Sequence, residues 1–205
     1  MSVLLASGVS KRWGESIGLA PVDVEVAAGE LVVVRGRSGS GKSTLLAMFA
    51  GWVRPDTGTA LVDGRPPSAD DPWSTLAVVP QVLALAAELS VEENVADVLG
   101  VAGAQGQARA RVGDVLAQLG LATLAERTIR EVSMGQQQRA AVARAVAAAP
   151  RAILADEPTS FQDAGHAGAV VDALRTTAHA GTAVLVATHD PLVIAAADRV
   201  IVLGA

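Results

Sequence analysis

The stretch Gly36-Arg37-Ser38-Gly39-Ser40-Gly41-Lys42-Ser43-Thr44 decides the fold of this 205-residue chain. An apolar run at residues 31–34 precedes it and another at residues 45–48 follows it, so a strand, a glycine-rich loop and a helix occur in that order. Glycines let successive backbone N–H groups turn inward around phosphate oxygens, and the helix presents the positive end of its dipole to the same anion. The pattern predicts a loop that binds nucleotide phosphates, in preference to an ordinary turn before a core helix.

The side chains of this loop have separate chemical tasks. Lys42 would place a positive charge against the β- and γ-phosphates, and Ser43 would offer its hydroxyl to Mg²⁺. The other loop residues expected to contact the nucleotide are Gly36, Ser38, Gly39, Ser40, Gly41 and Thr44. The loop therefore predicts a nucleotide and Mg²⁺ as cofactors.

The composition narrows the class of protein. With 51% hydrophobic and 18% charged residues, the chain can bury a substantial core and is expected to form one domain over residues 1–205. A net charge of −5 and the lack of a stretch that interleaves Lys or Arg with aromatic residues argue against a nucleic-acid partner. The chain has no cysteine, which excludes disulfides and thiolate metal sites and suits a reducing compartment.

The mean hydropathy is positive, so membrane insertion has to be considered. No run of 18 or more apolar residues occurs, and no basic segment precedes the first apolar stretch. We therefore expect neither a membrane span nor a secretory signal, and we attribute the excess of Ala and Val to helices and to buried parallel strands.

Short Val, Ile and Leu runs alternate with long alanine-rich segments, which predicts a mostly parallel sheet. The predicted strands of this sheet are residues 31–34, 76–79, 153–155, 184–187 and 200–203. Two further predicted strands, at residues 3–13 and 19–26, would form a smaller β portion. Turn-rich connections are predicted at residues 54–58 and 63–67.

β-branched runs become rare between the second and third strands of the predicted parallel sheet. Helices are predicted there at residues 91–101 and 107–119, and we expect an inserted helical lobe over about residues 82–132.

Two carboxylates end one of the predicted strands, in Ala152-Ile153-Leu154-Ala155-Asp156-Glu157-Pro158-Thr159. An acid at a strand end can hold Mg²⁺, and a second acid beside it can orient or deprotonate an attacking water. The alternative is an ordinary acidic turn. A phosphate loop with such acids fits kinases, small GTPases, recombinases and transport ATPases, so other segments must distinguish between them.

The segment Val132-Ser133-Met134-Gly135-Gln136-Gln137-Gln138-Arg139 lies between the phosphate loop and the carboxylates in sequence, and it opens a helical run at residues 140–149. Alone it is only a helix N-cap. In this position it resembles the signature of the ATP-binding cassette family, Leu-Ser-Gly-Gly-Gln. The resemblance implies an α/β fold with a P-loop NTPase core, a mostly parallel sheet, a small antiparallel β subdomain and an inserted helical lobe.

Three further positions match that family. Val78-Val79-Pro80-Gln81 provides the glutamine that follows a strand, and Val184-Leu185-Val186-Ala187-Thr188-His189 provides the histidine that ends a later one. Lys11-Arg12-Trp13 offers Trp13 as the aromatic residue that stacks on adenine, although a lone tryptophan in a strand is more often a core residue. His166 and His179 have no counterpart, and we expect them on a helix surface with no chemical role.

The resemblance implies ATP as the nucleotide and assigns roles within one chain. Lys42 and Ser43 would hold phosphate and Mg²⁺, with Asp156 and Gln81 as further magnesium contacts. Glu157 would act as the base or orient the water. His189 would contact the γ-phosphate, and Gln81 would sense the attacking water.

The resemblance also implies partners. Two cassettes would sandwich two ATP molecules, so that Ser133, Gly135 and Gln136 approach the γ-phosphate bound by the other cassette. Separate membrane-spanning permease subunits would dock near the helical lobe, which places the chain in the cytoplasm at the inner face of the cell membrane. The motifs look most like the branch serving lipoprotein release and macrolide export.

The sequence departs from the family pattern in three places. Met134 replaces the first signature glycine and could crowd the closed pair of cassettes. Phe161-Gln162 replaces Ala-Leu in the segment that ends at Asp163, and Arg37 stands where proline is common. The chain stops at residue 205, where many relatives continue, so it is either a minimal member or lacks its end.

Three functions follow from these features. The leading one is an ATPase subunit that powers a membrane transporter through ATP-driven dimer closure. A cassette without a transport role and a weakly hydrolysing regulatory cassette are the alternatives. A GTPase is disfavoured, because the chain has no Asn-Lys-x-Asp guanine motif.

Overall fold

The computed structural model describes residues 2–104 and 106–204, with the side chains of residues 101–108 left undescribed. In chain order the strands and helices are β1 (Ser2–Trp13), β2 (Ser16–Ala27), β3 (Leu31–Arg35), α1 (Lys42–Phe49), β4 (Thr57–Val62), β5 (Leu76–Val79), α2 (Val91–Ala96), α3 (Gly106–Gln118), α4 (Met134–Ala147), β6 (Ala152–Asp156), α5 (Ala164–His179), β7 (Ala183–Ala187), α6 (Pro191–Ala196) and β8 (Arg199–Val202). Short 3₁₀ segments are Asp97–Ala104, Ala122–Leu124 and Ile129–Glu131.

The central sheet has five parallel strands in the order β5-β6-β7-β3-β8. Parallel neighbours need a crossover between them, and α-helices provide it. The predicted parallel sheet is confirmed, and each of its strands lies within one residue of the expected bounds. β3 and β7 are apolar throughout their buried length, and β6 is apolar up to Asp156, because both faces of the sheet are covered.

A second sheet is antiparallel, with the order β2-β1-β4. The strands predicted at residues 3–13 and 19–26 correspond to β1 and β2. β4 was not predicted, because its first two residues, Thr57 and Gly58, belong to a turn signal and its apolar part is short. β4 nevertheless pairs with β1 from Leu4↔Val62 to Ser10↔Thr57.

Side chains of β3 alternate between two hydrophobic clusters. Leu31 and Val33 belong to a cluster formed with α2, α3, α4 and α5. Val32 and Val34 belong to a cluster formed with α1 and the antiparallel sheet. Because side chains alternate with this period of two, α2 to α5 pack on one face of the parallel sheet, and α1 and the second sheet pack on the other.

The predicted helix at residues 91–101 is shorter in the structure. α2 begins at a capping box in which Ser90 and Glu93 satisfy each other's backbone N–H groups. It ends at Ala96, and Gly100, at φ 59° and ψ −154°, interrupts the 3₁₀ segment that follows. The helix predicted at residues 107–119 is α3. That residues 82–132 form a lobe of their own stays a prediction.

The two histidines without a predicted chemical role lie on one helix. His166 and His179 lie exposed on α5, as predicted. None of the helices in the described ranges is long and apolar enough to cross a membrane.

Asp198 joins α5 to the start of β3. It accepts a two-point hydrogen bond from Arg175, at 2.6 and 2.8 Å, and another from the Leu31 N–H at 2.9 Å. These hydrogen bonds, first that of Arg175 and then that of Leu31, lower the pKa of Asp198 to about 2. The carboxylate therefore ties a helix and a strand that are far apart in the sequence.

We expect Asp198→Asn to lower the free energy of unfolding at pH 7 by about 1 kcal/mol, because both side chains are about one-third exposed and solvent screens the pair. A lowered pKa stabilises the fold above the unfolded value of 3.8, and this stabilisation is lost as the pH falls toward 2. The gap between variant and wild type should therefore narrow in urea unfolding below about pH 4. Asp172→Asn is the control, since Asp172 is exposed on α5 and forms no ion pair with a described residue. A gap that is unchanged at pH 3 would contradict this account.

Candidate nucleotide-binding site

The predicted phosphate loop joins the end of β3 to the start of α1. Gly41 is the residue before the helix, with φ 96°, and a Cβ there would lie 2.6 Å from the Gly18 carbonyl oxygen. A Cβ on Gly36 would lie 2.8 Å from the Leu203 carbonyl oxygen. Both positions therefore require glycine, for backbone conformation, for space or for both.

The Lys42 ammonium group lies over this loop. Its Nζ donates hydrogen bonds to the carbonyl oxygens of Gly36 at 2.9 Å and Arg37 at 3.3 Å. The cation therefore lies above the concave side of the loop, close to the backbone groups that would surround an anion.

Ser43 of the phosphate loop and Asp156 at the end of β6 are in direct contact. The Ser43 hydroxyl donates to Asp156 Oδ2 at 2.6 Å, although the residues are 113 positions apart. Burial raises the pKa of the Asp156 carboxyl, the Ser43 hydrogen bond opposes this shift, and the neighbouring charge of Glu157 adds to it. A carboxylate whose charged form is disfavoured by burial, next to a hydroxyl group, provides oxygen ligands that suit a hard divalent cation.

The described part of the chain holds no group of three or more His, Cys, Asp or Glu side chains that could bind a metal. A magnesium ion at Ser43 and Asp156 would therefore need phosphate, amide or water oxygens to complete its coordination. This agrees with the reluctance of Mg²⁺ to bind in cages made only of protein groups.

Glu157 follows β6 in a strained backbone conformation, at φ 49°. Its N–H donates to the Ala187 carbonyl oxygen at 2.8 Å, which fixes the residue against the end of β7. Thr188 Oγ1 donates to one carboxylate oxygen at 2.7 Å, and His189 Nδ1 lies 2.9 Å from the other. Strain of this kind persists only where surrounding contacts hold it, and it often marks functional residues.

These groups line one open cleft of about 700 Å³. The predicted site residues that line it are Trp13, Gly36, Ser38, Gly39, Gly41, Lys42, Ser43, Thr44, Gln81, Asp156, Glu157 and His189. Ser40 contributes the loop backbone, and its own hydroxyl is buried with no partner among the described residues.

Trp13 lies at the rim of the cleft and is 54% exposed. Its ring lies against Gly18, where a Cβ would come within 2.4 Å of the indole, and the Lys11 ammonium is 5.2 Å from the ring centroid. Ile17 and Gly18 also line the cleft and were not predicted. No local motif marks them, since only the pairing of β1 with β2 brings them there.

Gln81 follows β5 and lines two neighbouring cavities, the nucleotide-sized cleft and a second one next to Met134 and Phe161. Its side chain is exposed and makes no hydrogen bond with a residue that the structure describes. It is therefore free to approach a ligand in the cleft.

The signature residues lie outside the cleft of their own chain. Ser133 caps α4 by accepting from the Gln136 N–H at 3.3 Å, and Gln136 Oε1 accepts from the Ser133 N–H at 2.8 Å. A Cβ on Gly135 would lie 2.6 Å from the Phe161 carbonyl oxygen, so this glycine permits close packing. Met134 and Phe161 are 51% and 70% exposed, which leaves an apolar surface beside the start of α4.

Gln162 ties α4 to the segment that follows Glu157. Its Nε2 donates to the Gly135 carbonyl oxygen at 2.7 Å and its Oε1 accepts from Arg139 Nη1 at 2.6 Å. Arg139 is 5% exposed, and burial lowers its pKa. Gln162, which departs from the family pattern, thus provides the hydrogen-bond acceptor of a buried arginine. No pattern in the sequence predicted this contact.

A glycine loop between a buried parallel strand and a helix, facing two carboxylates at the end of a neighbouring strand, defines a P-loop nucleotide hydrolase. The model of the ABC transporter family matches residues 19–160. The chain belongs to the ABC transporter family and is one of its ATP-hydrolysing cassettes.

Individual relatives agree with this assignment. The chain is 41% identical over 192 residues to the lipoprotein-releasing system ATP-binding protein LolD of Paramagnetospirillum magneticum, covering 89% of this chain and 85% of the relative. It is 36% identical to the macrolide export ATP-binding/permease protein MacB of Salmonella paratyphi A, covering 89% of this chain but only 30% of that longer protein. The predicted likeness to the lipoprotein-release and macrolide-export branch is confirmed.

Solved structures have the same fold. A dimeric structure of a post-hydrolysis state of the ATP-binding cassette MJ0796, bound to ADP and Pi, superposes with a TM-score of 0.85 at 31% identity. The match covers 98% of this chain and 94% of that one. The α/β fold with a P-loop core that the family resemblance implied is therefore confirmed.

We expect Gln162→Leu, which restores the residue usual in the family, to lower the free energy of unfolding by about 1–3 kcal/mol because the Arg139 guanidinium loses its acceptor while it stays buried. Urea unfolding measures this change. The double variant Gln162→Leu with Arg139→Met should regain most of the loss, since both polar partners are then removed. Equal stability of Gln162→Leu and wild type would mean that the Arg139 contact contributes nothing.

Proposed function

We propose that this chain is the ATPase subunit of a membrane transporter and drives it by closing in pairs around ATP. The observation that carries the proposal is the division of the predicted site between two surfaces. The phosphate loop, the carboxylates, Gln81 and His189 share one cleft, whereas Ser133 is exposed at the start of α4, outside the lining of that cleft. A second cassette would supply the signature that the cleft lacks.

In the proposed binding mode, ATP phosphates replace the loop carbonyls as partners of Lys42. A cation whose present partners are neutral carbonyls gains more from a phosphate, because charge-assisted hydrogen bonds are the stronger ones. Trp13 would stack on the adenine ring at the rim of the cleft. The backbone N–H groups of the loop would surround the phosphates, as in other P-loop proteins.

Mg²⁺ is proposed as the metal, with Ser43, Asp156 and Gln81 as its protein contacts or contacts through water. When bound, Mg²⁺ would neutralise charge that develops on the transferred phosphate. Ser43 donates a hydrogen bond to Asp156, and burial disfavours the charged form of that carboxyl group, so that a bound cation would stabilise it.

Glu157 is proposed to orient or deprotonate the attacking water. Thr188 and His189 hold its two carboxylate oxygens, which restricts the carboxylate to a narrow set of orientations. His189 is 86% exposed at its side chain, so it can turn from Glu157 toward a γ-phosphate in the cleft. Fixed orientation of the water is the main contribution that a protein can make to such a reaction.

The partners follow from this scheme. Ser133, Gly135 and the N-terminal end of α4 would contact the γ-phosphate held by a second cassette, either an identical chain or a related one. Membrane-spanning permease subunits would be separate proteins. The chain would then lie in the cytoplasm, at the inner face of the membrane, and closing on ATP would be converted into movement of the permease.

We expect the solution mass of the Glu157→Gln variant to double when ATP is added. Slow hydrolysis would hold two chains closed around ATP long enough for the dimer to be detected. Light scattering coupled to size exclusion measures the mass with and without ATP. Adding Lys42→Ala to the same variant removes the phosphate contact and should keep it monomeric. A Glu157→Gln chain that binds ATP but stays monomeric would mean that closure needs a different cassette or the permease.

A weakly hydrolysing regulatory cassette is the second candidate, and the exposed Met134 favours it. If Met134 crowds the closed pair, Met134→Gly should raise the hydrolysis rate by about fivefold or more, equivalent to relief of roughly 1 kcal/mol of overpacking. Met134→Leu keeps the bulk and should remain slow. Equal rates for all three chains would remove the main support for this candidate.

A further inference from the structure

The segment after β5 is held by very few contacts. Val79 is the last residue of β5 and pairs with Ala155. Residues 82–85 make no backbone–backbone hydrogen bond with any other described residue. Leu83 and Leu85 are only partly buried against the helical cluster. The backbone of this segment therefore depends on side chains from elsewhere for its position.

One side chain supplies that contact. Arg144 Nη1 donates to the Ala84 carbonyl oxygen at 2.6 Å, and among the described residues this is the only hydrogen bond that residues 82–85 make. The next fixed point is Asn94, which exchanges hydrogen bonds with the backbone of Ala86 at 2.8 and 3.0 Å. The segment is thus fixed near its middle by Arg144 and at its end by Asn94.

The Arg144 guanidinium is itself rigidly placed. It is 7% exposed and lies over the Trp73 ring, 4.9 Å from the centroid. Its Nε is buried with no partner among the described residues. The hydrogen bond to the Ala84 carbonyl oxygen is therefore the one that this guanidinium makes within the described part of the chain. Burying an arginine is costly, and the Ala84 carbonyl, the Trp73 ring and the nearby charge of Asp97 offset this cost.

We propose that Arg144 is a positioning residue that sets where Gln81 lies in the nucleotide cleft. Gln81 lies between two fixed points of the chain. Val79, which pairs with Ala155, precedes it by two residues, and Ala84, which is held by Arg144, follows it by three. Without the bond to Ala84, the fixed point on that side moves to Ala86, and Gln81 gains freedom at the edge of the cleft. This inference rests on the proposed role of Gln81 in hydrolysis.

Arg144→Met in the full chain tests the inference, because methionine keeps an apolar stem but removes the donor. ATP affinity should stay within about threefold of wild type, since the phosphate loop is not touched, while single-turnover hydrolysis should slow by about tenfold or more. In a Gln81→Ala background the same substitution should slow hydrolysis no further. NMR order parameters of the backbone at residues 81–85 should fall, because the segment loses its hydrogen bond to Arg144.

The control is Arg111→Met, which removes another arginine contact to a backbone carbonyl, at 3.5 Å from Ala147, far along the chain from Gln81. It should change neither hydrolysis nor the order parameters of residues 81–85. If Arg144→Met does not fold, Arg144→Lys takes its place, because lysine keeps a cation on an apolar stem while its shorter side chain weakens the hydrogen bond to the Ala84 carbonyl oxygen. The same pattern is expected from it, with slowing of about threefold.

Three results would overturn the inference: unchanged order parameters of residues 81–85 in the Arg144 variant, unchanged hydrolysis, or equal slowing with and without Gln81. Equal slowing would mean that Arg144 supports the fold in general. The proposed role of Gln81 is tested separately by Gln81→Ala alone. If that variant hydrolyses ATP at the wild-type rate, the role of Gln81 fails and the inference about Arg144 fails with it.

Discussion

Two adjacent carboxylates must be kept at the end of a strand that is buried on both faces, and the arrangement of the site follows from this constraint. Asp156 is stabilised by the Ser43 hydroxyl, and Glu157 by Thr188 and His189. The left-handed backbone at Glu157 separates the two side chains into different surroundings. One carboxylate therefore faces the phosphate loop while its neighbour faces the end of β7, and the two can act on different parts of one ligand.

Much of this could be predicted from the sequence, because the strongest signals are local. The phosphate loop and the apolar strands carry their own composition, and a buried parallel strand has few alternatives once both its faces are apolar. What could not be predicted depends on pairing between distant segments. β4 became recognisable only beside β1, and Gly18 reaches the cleft only because β2 pairs with β1 under Trp13.

The contacts of α4 show the same limit. The family resemblance placed Ser133 at the start of this helix, but it gave no account of Gln162 or Arg144. Both lie in patterns that suggest ordinary surface or helix residues, and each forms its contact with a segment more than twenty positions away. α4 is thereby tied to the segment after Glu157 through Gln162 and to the segment after Gln81 through Arg144. One rigid helix holds two otherwise irregular stretches that border the cleft.

The walls of the cleft come from both sheets: Trp13 and Gly18 belong to the antiparallel sheet, and Lys42 and Asp156 to the layer built on the parallel sheet. The two layers share the hydrophobic cluster that contains Val32 and Val34, and Arg199 of β8 donates a hydrogen bond to the Glu25 carbonyl oxygen of β2. We expect the three-stranded sheet to open locally at a lower free energy than the core. A nucleotide that contacts both layers adds its binding energy to their adhesion. The ligand would then merge two cooperative unfolding units into one.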